Sequence, residues 1–181
     1  HKFHGPKGIG FLFMRNGATL KPMILGGSQE RNMRAGTENL YGIVGLAKAM
    51  ELAYRDLDEH IRHVTGLKKR MMARLIELIP GIVINGDPGD DALYTVLSVH
   101  LPEDGRSEML IYNLDIEGIA CSGGSACSSG SNKGSHVIGY LYPGREGANV
   151  RFSFSKFTTL EEVDRAAEAL AKGYAPVAVK G

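Results

Sequence analysis

Apolar residues recur along this chain in two different rhythms. Leu40, Ile43, Val44, Ala47, Met50, Ala53 and Leu57 follow one another at steps of three and four, which predicts a helix with a single apolar face. A second helix is predicted through Ile61, Val64, Leu67, Met71, Leu75 and Leu78, and Pro80-Gly81 stops it. So little separates the two that they also read as one long bent helix linking two domains. Elsewhere the rhythm is shorter. Ile9, Phe11, Leu12, Phe13 and Met14 lie between Gly8 and Gly17 and predict a short buried strand over residues 8–15. Residues 26–36 are charged, carry glycine and have no period, so they read as a loop. A brief strand over 82–84, a turn at Asn85-Gly86-Asp87-Pro88-Gly89 and a strand over 94–101 come next. Ser107 can cap a short helix through Leu114, and residues 116–120 lead into a Gly/Ser-rich stretch over 122–135. Val150, Phe152 and Phe154 alternate with Arg151 and Ser153, as in a half-buried strand. In the last predicted helix, Thr159 and Glu162 have capping-box spacing, Val163, Ala166, Ala167 and Leu170 form the buried face, and Gly173 is the stop. The mixture is α/β or α+β.

Composition narrows the possible functions. The 181 residues suffice for one domain, or for a small domain plus part of another. A formal charge of +1 gives no electrostatic case for binding nucleic acid or an anionic membrane surface. No apolar run approaches the roughly 18 residues needed to span a bilayer. No leader opens the chain, so a reducing, cytoplasmic setting is expected. The two cysteines, Cys121 and Cys127, make no disulfide framework, and their spacing without a nearby histidine is poor for zinc, so no metal is expected. The chain opens at His1, not at Met, and its first residues read as the middle of something, so a fragment is expected.

Four places can carry chemistry. Lys2 lies between His1 and the rigid Gly5-Pro6-Lys7-Gly8 run. A lysine amine held near an aldehyde cofactor can bond to it covalently, although a lysine near a terminus is more often a solvated surface residue. Cys127 sits in Ser122-Gly123-Gly124-Ser125-Ala126-Cys127-Ser128-Ser129-Gly130-Ser131, a composition that builds no core and implies a flexible tether with an exposed, reactive thiol. The other readings are a chance exposed thiol or a pair with Cys121. Arg151 lies on the polar side of its strand, where a guanidinium can take a carboxylate through two parallel hydrogen bonds or simply face solvent. Glu30-Arg31-Asn32-Met33-Arg34-Ala35-Gly36-Thr37 places two arginines and a hydroxyl just before a helix, which suits a phosphate, or Thr37 is a simple N-cap.

In order and spacing these segments resemble the cysteine desulfurases of the NifS/IscS-like group, within the class V aminotransferase-like pyridoxal phosphate (PLP) enzymes. The resemblance runs from His1 to about Lys172. It rests on His-Lys-x-x-Gly-Pro-Lys-Gly at the start, Glu-Arg-x-x-Arg-x-Gly-Thr at 30–37, Gly-Ser-Ala-Cys at 124–127, and Val-Arg-Phe-Ser-Phe at 150–154 before Thr158-Thr159. The surroundings of Cys127 are similar to those of the long-loop members. The resemblance implies an aminotransferase type I-like fold. Residues 1–57 would be the end of the large PLP-binding domain and the start of the linking helix, and residues 58–181 the small carboxyl-terminal α/β domain with its cysteine loop. It also implies roles. Lys2 would hold PLP covalently and then act as acid and base, with His1 beside the cofactor. Thr37 would reach the phosphate of the partner subunit's cofactor in a homodimer. Arg151 would grip the carboxylate of L-cysteine, and Cys127 would attack its sulfur, leaving alanine and a persulfide for an iron–sulfur scaffold or another sulfur acceptor.

One departure is large. The family's ring over the cofactor, its acidic partner for the pyridine nitrogen and further phosphate contacts lie upstream of His1. The alternatives are therefore a non-catalytic fragment, in which case the isolated chain is inactive, or a selenocysteine lyase or other PLP enzyme on the same fold. The mobile thiol argues against aminotransfer. Ser155-Lys156, where glycine or serine and arginine are common, is a minor departure.

Overall fold

The computed structural model describes residues 1–89, 91–103, 109–123 and 135–174. The chain divides into two compact units, His1–Leu57 and Asp58–Gly181.

The first unit contains one long helix, α1 (Leu40–Arg55). Asn39 caps it, its Oδ1 accepting the Gly42 N–H at 3.0 Å. The face that α1 buries is not the predicted one. Gly42 and Leu46 are buried, whereas Leu40 and Val44 are 65% and 68% exposed. The reason is close approach by the preceding chain. A Cβ on Gly45 would lie 3.0 Å from Pro6 Cγ, and one on Gly42 would lie 3.1 Å from Ile9 Cβ. Small residues thus admit residues 5–9 against the helix. The expected buried strand over 8–15 does not form. This segment has no ladder partner among the described residues, and Phe11, Leu12 and Phe13 are 66%, 71% and 77% exposed. Apolar residues supply strand propensity, but a strand exists only through hydrogen bonds to a neighbour.

The two predicted helices are separate. Asp56 leaves helical geometry at φ −106°, ψ 14°, and the Arg55 guanidinium clasps its carboxylate at 2.6 and 2.8 Å. Helix α2 (Leu57–Leu78) follows, and in the second unit it buries Val64, Leu67, Met71 and Leu75, the face its periodicity predicts.

The second unit is built on a three-stranded antiparallel sheet, β1 (Val83–Ile84), β2 (Val96–Leu101) and β3 (Ala148–Ser153), in the order β1-β2-β3. The register pairs Val99 with Val150, Ile84 with Val99, and Ser98 with Arg151. Because side chains alternate across a strand, one face carries Leu97, Val99, Leu101, Val150 and Phe152, all buried. These pack with α2, α3 (Leu110–Ile116) and α5 (Leu160–Tyr174) into the core, where Leu75, Leu170, Val99 and Ala167 are fully buried. The other face carries Asn85, Ser98, His100, Asn149 and Arg151. Each strand is trimmed or shifted by a residue or two from its expected span, as ladder ends usually are.

The expected Ser107 cap lies outside the described residues. Helix α3 starts after Met109 and runs two residues past Leu114. Helix α4 (His136–Leu141), too short to show a period, follows Ser135, whose Oγ accepts the Ile138 N–H at 3.4 Å. The predicted capping box is present in both directions at α5: Thr159 N donates to Glu162 Oε2 at 2.9 Å, and Glu162 N donates to Thr159 Oγ1 at 3.2 Å. The helix runs one residue past Gly173. Arg70 binds Asp164 at 2.8 and 3.0 Å and so links α2 to α5 at the surface. Among the described residues no helix is long and apolar enough to cross a membrane.

His100 is buried in the polar face, and its Nδ1 has no hydrogen-bond partner among the described residues. Burial and the nearby Arg145 charge lower its pKa from the ordinary 6.5, against an opposing hydrogen bond with Asn149. The folded state therefore resists protonation that the unfolded chain accepts. The contribution is fully present above the unfolded-state value of about 6.5 and is lost as pH falls below it toward the depressed folded value. Denaturant midpoints at pH 7.5 and 5.5 should fall less for His100→Gln than for the parent chain. An equal fall in both would show that His100 does not contribute.

Candidate functional site

In the first unit the lysine sits on a tight turn. His4 N donates to His1 O at 3.1 Å, so Lys2 and Phe3 occupy the two central positions. The Gly5-Pro6 step then seats on α1 near Leu46, Ala49 and Gly45. Lys2 is exposed, and its amine makes no hydrogen bond or ion pair among the described residues. His1 is exposed beside it.

Residues 30–37 form a loop with an unusual backbone. Glu30, Arg31 and Asn32 all have positive φ, at 48°, 55° and 65°, in a left-handed turn. Gln29 closes the loop by accepting the Gly36 N–H at 3.1 Å, and Ala35 N donates to Ile24 O at 3.1 Å. Gly36 has φ 109°, which suits a residue without Cβ. The N-cap reading of Thr37 is overturned: the cap is Asn39, two residues later. The Thr37 hydroxyl is exposed and makes no hydrogen bond among the described residues.

In the second unit Arg151 lines a cleft of about 210 Å³ on the polar face of the sheet, together with Ser98, Ser122, Gly123, Ser135 and Asn149. None of the cleft's described lining residues is acidic, so no carboxylate among them neutralises the guanidinium. The arginine is half-buried and does not project freely into solvent. Asn85 braces this face. Its Nδ2 donates to Ser98 Oγ at 3.1 Å and to Asn149 Oδ1 at 3.0 Å, and its Oδ1 accepts from Arg145 at 3.2 Å. Arg145 in turn stacks 4.8 Å from the Tyr142 ring centre. Sequence reasoning missed Asn85, Ser98, Ser122 and Asn149. For Ser98 the signal was its alternation, with His100, against Leu97, Val99 and Leu101, which marks a second, polar face; no local pattern marks the other three.

Cys127 lies outside the described residues. The segment that carries it departs from Ser122 and Gly123 and returns at Ser135, all three at the cleft. Cys121 is half-buried against the core, and burial, with the Asp115 charge adding, raises its pKa to about 11. Cys121 stands one residue before the Ser122–Arg151 bridge.

The model of the aminotransferase class-V family matches residues 1–166. This chain belongs to the class-V aminotransferase family. Among its similar members are a protein named cysteine desulfurase IscS from Dictyoglomus turgidum, 38% identical over 172 residues (94% of this chain, 43% of the relative), and cysteine desulfurase NifS from Azotobacter vinelandii, 40% identical over 168 residues (91% and 41%). A solved NifS-like protein superposes with a TM-score of 0.78 at 35% identity, over 95% of this chain and 43% of that one. A NifS-like protein from Rickettsia africae, at TM-score 0.72 and 24% identity, shares the fold, over 87% of this chain and 41% of that one. This class-V aminotransferase chain thus has the fold of NifS-like proteins and spans about two fifths of the length of the curated relatives it matches.

Proposed function

We propose that this class-V aminotransferase chain is the carboxyl-terminal part of a PLP-dependent cysteine desulfurase. The observation that carries the reading is an arginine with no acidic neighbour among the described residues lining a cleft that is bounded by both ends of the Gly-Ser-Ala-Cys segment, in a chain about 40% identical to proteins named cysteine desulfurases.

The residues present fit the cofactor. An exposed, uncommitted lysine amine at a fixed turn suits covalent attachment through Nζ, and an uncommitted threonine hydroxyl beside a helix start suits a phosphate oxygen. Lys2 would hold PLP, with His1 beside it, and Thr37 would serve the cofactor of a second subunit. When bound, PLP supplies an electron sink for the substrate carbon. Arg151 fixes the carboxylate of L-cysteine and so orients its thiol. The Cys127 thiolate then forms a bond to the substrate sulfur as the carbon–sulfur bond breaks. The electron pair of that bond stays with the carbon, which gains a proton, the acid role falling in this reading to the Lys2 amine. L-cysteine and the Cys127 thiol become L-alanine and a Cys127 persulfide.

Residues 1–57 belong in this reading to the large PLP domain and the start of the linking helix, and residues 58–181 form the small domain, in keeping with the division at Leu57. A homodimer belongs to this reading through Thr37, assigned to the cofactor of the second subunit. The sulfur acceptor is an iron–sulfur scaffold or another protein, and the setting is the cytoplasm.

PLP and L-cysteine added to this chain, with and without the upstream half, provide the test. Alanine and sulfur on Cys127 are expected only with both halves. Products from this chain alone would refute the inactive-fragment reading of the isolated chain, and neither product with both halves would refute the desulfurase reading.

A further inference from the structure

Arg151 is held by the residue from which the Cys127 segment departs. Arg151 N donates to Ser122 O at 2.7 Å, and Ser122 N donates to Arg151 O at 3.1 Å. Two residues that exchange both bonds form a hydrogen-bonded antiparallel pair, and their side chains project from the same face. The side chains meet: Arg151 Nη2 donates to Ser122 Oγ at 3.4 Å. On the opposite side of β3, Ser98 stands in register with Arg151. The position of Ser122 is itself constrained. A Cβ on Gly123 would come within 3.1 Å of Ile111 Cγ1 and 3.5 Å of Asn149 O, so the residue after Ser122 lies close against α3 and β3.

A guanidinium has five donors, and one given to a hydroxyl leaves enough for a two-pronged grip on a carboxylate. Arginine also carries much rotamer freedom, which a ligand must otherwise restrict when it binds. We infer that Ser122 is a positioning residue for the substrate carboxylate: it pre-orders the Arg151 side chain at the cleft, and it ties that carboxylate site to the root of the cysteine segment. The inference rests on the carboxylate role proposed above for Arg151. It adds a selectivity for α-carboxylates that depends on the Ser122 hydroxyl.

Kinetics of the intact enzyme that contains this chain test it. Ser122→Ala should raise KM for L-cysteine roughly five- to tenfold, the effect of losing one ordinary hydrogen bond, since 3.4 Å is long for a bond to a charged group. Inhibition by cysteamine, which keeps the amine and thiol but lacks the carboxylate, should stay the same. Ser122→Thr, which restores the hydroxyl, should recover most of the KM. Arg151→Leu should raise KM more, and adding Ser122→Ala to it should do no further harm, because the serine acts through the arginine. Equal losses for L-cysteine and cysteamine, or additive effects in the double variant, would overturn the inference and leave Ser122 a local fold support. A large effect of Arg151→Leu with none from Ser122→Ala would overturn the inference alone. No effect of Arg151→Leu would overturn the carboxylate role of Arg151 and the inference with it.

Discussion

Cys127→Ser in the intact enzyme is expected to keep the visible absorbance of bound PLP and to lower sulfur transfer roughly a thousandfold or more. A serine hydroxyl is essentially un-ionised at neutral pH and forms no persulfide, whereas a thiolate does. The chain holds one other thiol, and its environment decides whether it can substitute. Cys121 is half-buried, and its pKa of about 11 leaves it protonated at neutral pH. At pH 7 only about one Cys121 in ten thousand is ionised, against a few per cent for an ordinary thiol. Persulfide carried by the Cys121 peptide of the Cys127→Ser variant, read by mass, would make Cys121 and not Cys127 the sulfur-accepting thiol. Cys121→Ala, by contrast, should transfer sulfur at close to the parent rate.

Leu75→Ala is expected to destabilise the second unit by about 3–5 kcal/mol. Leu75 has no exposed surface and sits in the buried face of α2, within the cluster that includes Val99, Leu114 and Leu170. A domain of this size is stable by roughly 5–15 kcal/mol, so the loss is a large share of the total. Denaturant unfolding of the whole chain measures it as a lower midpoint at unchanged slope. A loss below about 1 kcal/mol would mean that α2 is not the main support of the sheet, because collapse of a tightly packed cavity rarely recovers so much. The consequence reaches the cleft: Leu97 and Val99 face this core from the strand that presents Ser98 to the other side. Loosening the apolar face should therefore also broaden the placement of Arg151.

The two sides of that sheet were unequally legible. The α2 face was plain in the spacing of Val64, Leu67, Met71 and Leu75, and the α5 cap in Thr159 and Glu162. Both are local: the helix period and a three-residue reach are properties of the backbone itself. The site was legible as residue types, with Lys2, Thr37, Cys127 and Arg151 standing in recognisable motifs. Its supporting set was not. Ser122 and Arg151 are 29 residues apart, and Asn85 and Asn149 are 64 apart. No local pattern joins such pairs: an isolated bridge beside β3 joins Ser122 to Arg151, and the register of β1, β2 and β3 brings Asn85 to Asn149.

The same limit explains the expectations that did not hold. Apolar residues at 9–14 announce material fit for burial, and those at 40–57 announce a helix, but neither states what will lie against it. On α1 the contact goes to the glycine side, since Gly42 and Gly45 let residues 5–9 approach where larger side chains would hold them off. From its sequence alone this protein has its helix periods, its caps, its family motifs and the residue types of its chemistry. Which faces are covered, which serine braces the arginine and which thiol stays protonated were decided by tertiary structure, because burial and pairing depend on neighbours that are distant in the chain.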